Sequence, residues 1–174
     1  MPIRKKLIGR IVDSLLDKYV IRKPPVAVES IAKKQGLQIR FQPLESNLSG
    51  FIFRDKQAAI IGVNSTQAKV RQRFTIAHEL GHFLLHQNDN LLVDRVLVKL
   101  RSGSSNKETD IQEIEANYFA AELLMPRCLI AKDLDHIGPI DIFDEDFITN
   151  LAKRYDVSTQ ALVLRLNGLG YIEH

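Results

Sequence analysis

Arg71-Gln72-Arg73-Phe74-Thr75-Ile76-Ala77-His78-Glu79-Leu80-Gly81-His82-Phe83-Leu84-Leu85-His86 is the stretch on which the rest of the sequence turns. Projected at about 100° per residue, Val70, Phe74, Ala77, Gly81 and Leu85 fall on one side of a helix. Ile76, Leu80 and Phe83 fall on a second, and Thr75, His78, Glu79, His82 and His86 on a third. A helix that is apolar on two of its three sides is largely buried, so the histidine side must line an interior cleft or meet polar partners. Asn64 and Gln67 have the spacing of a capping box, which predicts a helix running from about residue 64 to His86.

Outward from this helix the chain reads as an α+β protein, mostly helical, with a small sheet beside the histidine helix. Residues 1–36 form N-terminal helices. Leu7, Ile8, Ile11, Leu15, Leu16 and Tyr19 recur at helical spacing over 4–20, Pro24 and Pro25 stop the helix, and a short second helix over Val28 to Lys34 ends at Gly36. Residues 37–63 form the sheet. Leu37, Ile39 and Phe41 alternate with polar neighbours, and Gly50 to Phe53 and Ala58 to Val63 repeat an extended signature. Ser46-Asn47 and Asp55-Lys56 supply the turns, and connections this short predict three antiparallel strands. Residues 64–126 hold the histidine helix and a second long helix: an irregular span over 87–110, most flexible at Ser102 to Asn106, precedes a helix from Asp110 to Leu124 that Pro126 stops. An acidic stretch, Asp133 to Asp146, leads into 140–174, where two helices, Phe147 to Tyr155 and Ser158 to Leu166, have helix-turn-helix spacing.

At 174 residues, with 45% hydrophobic and 26% charged residues, the chain suits one folded domain, 1–174, and excludes disorder. Cys128 is the lone cysteine, which excludes an internal disulfide and a cysteine-based zinc knuckle. Asp13, Asp17 and Lys18 interrupt the apolar run a secretory signal needs, and no run of about 18 apolar residues suggests a membrane span. The expectation is a soluble, cytoplasmic protein. Residues 1–40 hold ten Lys/Arg against three Asp/Glu, the remainder fourteen against eighteen. This basic first quarter reads as a solvated helix face in preference to a nucleic-acid surface.

His78-Glu79-Leu80-Gly81-His82 is the HExxH pattern, with two imidazoles at i and i+4 projecting from one helix face toward a single Zn²⁺. Without a ligand, two stacked histidines and a carboxylate in a buried helix would be costly. Glu79 lies beside them without the geometry of a third ligand and suits a general base in metal-activated water attack. His86 continues the stripe but lies about 12 Å of helix rise from His78, which makes it a hydrogen-bonding support. A third ligand is needed. Glu113 shares a face with Ala116, Asn117, Ala120 and Leu124, small or apolar positions that permit close helix approach, and is favoured over Glu115, with Asp110 a distant third. Asn117 is placed to orient a ligand. Tyr118 is the one nameable donor for an oxyanion, although a packed aromatic is the plainer reading.

The run from Arg71 to His82, followed by Glu113-Ile114-Glu115-Ala116-Asn117-Tyr118-Phe119-Ala120-Ala121-Glu122-Leu123-Leu124-Met125-Pro126 and by a closing segment Leu151 to Ser158, strongly resembles the ImmA/IrrE family of zinc metallopeptidases. The resemblance implies a compact gluzincin-like fold with three strands ahead of the active helix. It implies zinc on His78, His82 and Glu113, with Glu79 activating water. It further implies a protein substrate, a helix-turn-helix repressor or antitoxin-like regulator, bound as an added strand along Ala58 to Val63, and no C-terminal sensory domain of the kind larger members carry. No direct contact with nucleic acid or membrane is expected. The rival class is a DNA- or protein-binding regulatory module with a structural or inactive metal site. Its recognition helix, Ser158 to Leu166, carries Arg165 as its one cation, a poor footprint for a duplex.

Overall fold

The computed structural model describes residues 2–54, 58–86, 91–94, 107–135 and 144–172. Helices α1 (Lys5–Lys18) and α2 (Val28–Lys34) lead into strands β1 (Leu37–Gln42), β2 (Gly50–Arg54) and β3 (Ala59–Asn64). Then follow α3 (Lys69–Leu85), β4 (Leu91–Asp94), α4 (Lys107–Leu124), α5 (Arg127–Leu134), α6 (Glu145–Tyr155) and α7 (Thr159–Leu169). The architecture is mostly helical α+β. The apolar positions that set each helical period are the ones buried: Ile8, Val12, Leu15 and Leu16 on α1, Ile76, Ala77 and Leu80 on α3, Phe119, Ala120, Leu123 and Leu124 on α4, Leu162 and Leu166 on α7. They belong to one apolar cluster that also takes in Leu37, Ile52, Ile61 and Val63 of the sheet.

Among the described residues the sheet is mixed, not antiparallel throughout, and has four strands in the order β1-β3-β2-β4. β1 runs parallel to β3, with Leu37 opposite Ala59 and Gln42 opposite Asn64. β2 is antiparallel to both β3 and β4. The short link from β1 to β2 predicts neighbours, but β3 inserts between them. Skipping one strand requires a span of roughly 10 Å, well within the reach of the seven-residue connection 43–49. Asn64, fully buried at the end of β3, holds that connection in place. Its side-chain amide donates to the carbonyls of Leu44, Glu45 and Leu48, and its oxygen accepts from the Leu44 N–H.

Asn64 therefore does not cap the histidine helix. That helix starts five residues later, with Ala68 at its N-cap and no side-chain capping bond. Two further expectations change. β3 has a hydrogen-bonded neighbour on each side, so Ala58 to Val63 offers no edge for an added strand. β4 emerges from a span expected to be irregular, its four residues being too few to carry a period. α4 ends at Leu124 as expected, and Pro126 then stands as the N-cap of α5. The turns at Asp55-Lys56 and Ser102 to Asn106 lie outside the described residues.

α3 packs chiefly on α4, and Gly81 sets the spacing. A Cβ there would lie 3.0 Å from the Phe119 ring and 3.3 Å from the Ala116 Cα, so a side chain at Gly81 would force the helices apart. Their close approach is what brings the polar faces of α3 and α4 together.

Candidate metal centre

His78 and His82, one turn apart on α3, are 1% and 0% exposed. Their Nε2 atoms lie 3.1 Å apart. From α4, Glu113 brings Oε2 to 3.4 Å from His78 Nε2 and Oε1 to 3.4 Å from His82 Nε2. One donor atom from each of the three lies within 4.8 Å of the others. Asn117, one turn along α4, places its side-chain oxygen 3.0 Å from His78 Nδ1. With the proton held there, His78 Nε2 is a lone pair. Two imidazole nitrogens and a carboxylate oxygen so close to one another need a cation or a proton between them. Ligands at about 2.0–2.1 Å from a tetrahedral ion stand about 3.3 Å apart, and the separations of 3.1 and 3.4 Å match that figure. The donor set therefore fits a divalent metal of borderline softness. Burial pushes the Glu113 carboxyl upward, but the two histidines outweigh it and hold the group well below the usual carboxylate range.

Glu79 is fully buried on α3 beside His78. Glu115, the alternative third ligand, faces elsewhere. Its carboxylate, 2% exposed, is gripped by Arg4. The Arg4 backbone N–H donates to Oε1 at 2.9 Å, Nε to both oxygens, and Nη2 to Oε2 at 2.6 Å. The guanidinium holds Glu115 below the usual carboxylate range, against its burial. Asp110 lies in the first turns of α4, and its side chain falls outside what the structure describes. His86 is buried, with its ring centroid 5.4 Å from that of His82 and Nε2 3.9 Å from Glu115 Oε2. Burial, and then the neighbouring His82, push its pKa down to about 4. Tyr118 is turned well away from Glu113 on the α4 projection, partly buried against the core with the Lys5 ammonium over its ring. It is a packed aromatic. Arg4 is the residue that sequence reading missed. The basic surplus of the first forty residues contains it, but no periodicity ties it to a carboxylate 111 positions away.

The C-terminal pair has helix-turn-helix form without a basic recognition face. Asp144 caps α6 by accepting from the Phe147 N–H, Asp156 makes the turn in a left-handed conformation (φ 54°), and Ser158 caps α7 by accepting from the Ala161 N–H. Arg165 is 7% exposed. Its Nη2 lies 2.7 Å from Glu122 Oε2 and its Nε donates to the Met125 carbonyl, so it is turned into the fold and not toward a phosphate. Arg73 of α3 lies 3.0 Å from Asp156 and donates to the Val26 carbonyl, tying the turn to the histidine helix. Among the described residues no helix is long and apolar enough to cross a membrane.

Against known proteins, residues 32–167 match the model of a peptidase family described as the IrrE N-terminal-like domain. The chain is 34% identical over 149 residues to the radiation response metalloprotease IrrE of Deinococcus radiodurans, covering 85% of this chain and 42% of that protein. It is 34% identical over 131 residues to the protein of the same name in Deinococcus deserti, covering 75% and 43%. It thus spans about two-fifths of the length of these relatives. An uncharacterized immunity region protein 2 of Bacillus phage phi105 is 30% identical over 128 residues, covering 72% of this chain and 73% of that one. Among solved structures, a Mycobacterium tuberculosis transcriptional regulator superposes with a TM-score of 0.62 at 17% identity, over 91% of this chain and 46% of that chain. That likeness is one of fold.

Proposed function

The chain belongs to the IrrE N-terminal-like family of metallopeptidases, and from that premise we propose that it is a cytoplasmic zinc-dependent endopeptidase whose substrate is a helix-turn-helix repressor or an antitoxin-like regulator. The observation that carries the reading is the convergence of His78, His82 and Glu113, each with one donor atom aimed at a common point inside a packed helix pair. The phage immunity-region relative is compatible with a repressor as substrate.

His78, His82 and Glu113 would hold the ion. When bound, a divalent metal supplies Lewis acidity, lowering the pKa of water to about 7 and polarising a peptide carbonyl. Glu79 acts as the base: a carboxylate oxygen takes the proton of the attacking water and returns it to the departing amide nitrogen, so that hydrolysis yields a free carboxylate and a free amine. Asn117 holds His78 in the tautomer that keeps Nε2 free, through its bond to Nδ1. His78, Glu79 and His82 are each at most 1% exposed, and out of contact with bulk water each of these electrostatic contacts is stronger.

The test uses the zinc-loaded full chain and a helix-turn-helix regulator encoded beside it, with cleavage followed by mass spectrometry. Cleavage at one or a few bonds is expected, reduced about 10²–10⁴-fold by Glu79→Gln with zinc retained. Undiminished cleavage by Glu79→Gln sinks the mechanism.

A further inference from the structure

The two histidines of the metal set are supported unequally. His78 has Asn117 at its outer nitrogen, 3.0 Å away. His82 has its outer nitrogen, Nδ1, buried without a hydrogen-bond partner among the described residues, and the same holds for Nε2 of the adjacent His86. A metal-binding imidazole nearly always donates its other ring N–H to a carboxylate, a carbonyl or water, which sets ring orientation and tautomer. Behind His82 the structure places the His86 ring, tilted 54° to it, and then Glu115. Glu115 in turn is fixed by the fork of Arg4, whose Nη2 also reaches the Leu85 carbonyl at the end of α3 at 3.5 Å.

We propose, on the basis of the metal reading above, that Arg4 and Glu115, acting through His86, are the positioning residues for His82, as Asn117 is for His78. The fixed negative charge of Glu115 favours the His82 tautomer that carries its proton on Nδ1, which leaves Nε2 as a lone pair facing Glu113. The His86 ring transmits the position of Glu115 to the His82 ring by packing. Stability is a poor explanation for this arrangement, since an ion pair with one partner half in water gains little. Glu115 is 2% exposed although its partner Arg4 is 45% exposed, so a cation at the surface is reaching inward to hold a charge beside the histidine row. Arg4 also lies outside residues 32–167, the span matched by the family model. The positioning arm is thus contributed by the segment ahead of that span and anchored by α1.

The experiment is a titration of the metal-free full chain with zinc against a chromophoric chelator, and with cobalt(II) followed by its visible ligand-field bands, with unfolding midpoints measured in parallel. Arg4→Ala and the isosteric Glu115→Gln are each expected to weaken zinc binding by about 10–100-fold and to shift the cobalt bands. Lys5→Ala, which removes the neighbouring cation stacked on Tyr118, is expected to change neither. Wild-type affinity and unshifted bands in folded Arg4→Ala or folded Glu115→Gln overturn the inference, as does a loss of affinity that only tracks loss of folded protein. A wild-type chain that binds neither metal overturns the metal reading itself and this inference with it.

Discussion

The α3–α4 pair and the α6–α7 pair are both two-helix units with a sequence signature, and they dispose of their polar side chains in opposite ways. In α6–α7 the polar groups are satisfied one by one. Asp144 and Ser158 cap helix ends, Arg154 and the Tyr155 hydroxyl meet Asp133, and Arg165 meets Glu122. In α3–α4 the buried donors point at one another: two imidazole nitrogens 3.1 Å apart with a carboxylate 3.4 Å from each. Buried polar groups are costly unless partnered. A unit that pairs its groups off is a scaffold, whereas one that aims several at a common point is built for a ligand. The helix-turn-helix spacing at the C-terminus marks the first kind and the HExxH spacing the second.

This contrast can be broken by perturbing the C-terminal pair. The largest effect is expected from Arg165→Ala, which strands Glu122, a carboxylate with 8% exposure. Stability should fall by about 3–5 kcal/mol in urea unfolding, while the folded fraction still takes up one zinc under saturating metal. A loss of zinc from folded Arg165→Ala would show that the two units are not separable in role. A smaller effect is expected at Asp133. Arg154 holds its carboxyl below the ordinary range, against burial and with help from the Tyr155 hydroxyl. The stabilisation from a lowered folded pKa is fully present above the ordinary aspartate value of about 4 and is lost as pH falls through the folded value. Since Arg154 is 53% exposed, the gain is screened to about 1 kcal/mol. Asp133→Asn should remove that much at pH 7 and flatten the acid limb of the stability curve. An acid limb identical to wild type contradicts the assignment.

What sequence could foresee follows from the range over which its signals act. The period of α1, the Gly36 stop, the three strand spans up to β3 and the third-side placement of His78, His82 and Glu79 are local patterns, legible within a few turns. The HExxH spacing and the small residues Ala116 and Ala120 even indicated which face of α4 would approach, and Glu113 lies on that face, 3.4 Å from both histidines. Strand order was not legible, because the insertion of β3 between β1 and β2 depends on Asn64 holding a loop some twenty residues upstream. The same limit hid the Arg4–Glu115 pair. A residue of either kind carries the same letter whether it caps, bridges or faces water, and only the fold decides among these roles.

The central claim is that α3 and α4 together hold one metal ion through His78, His82 and Glu113, and metal stoichiometry tests it most directly. Purified wild type, His78→Ala, Glu113→Ala and Glu115→Gln would be brought to equilibrium dialysis with zinc well above both the wild-type Kd and the weakened Kd expected for Glu115→Gln, and the bound ion measured by elemental analysis. One zinc per chain is predicted for wild type and for Glu115→Gln, and none for His78→Ala and Glu113→Ala. Full occupancy of Glu113→Ala, or an empty Glu115→Gln, would contradict it.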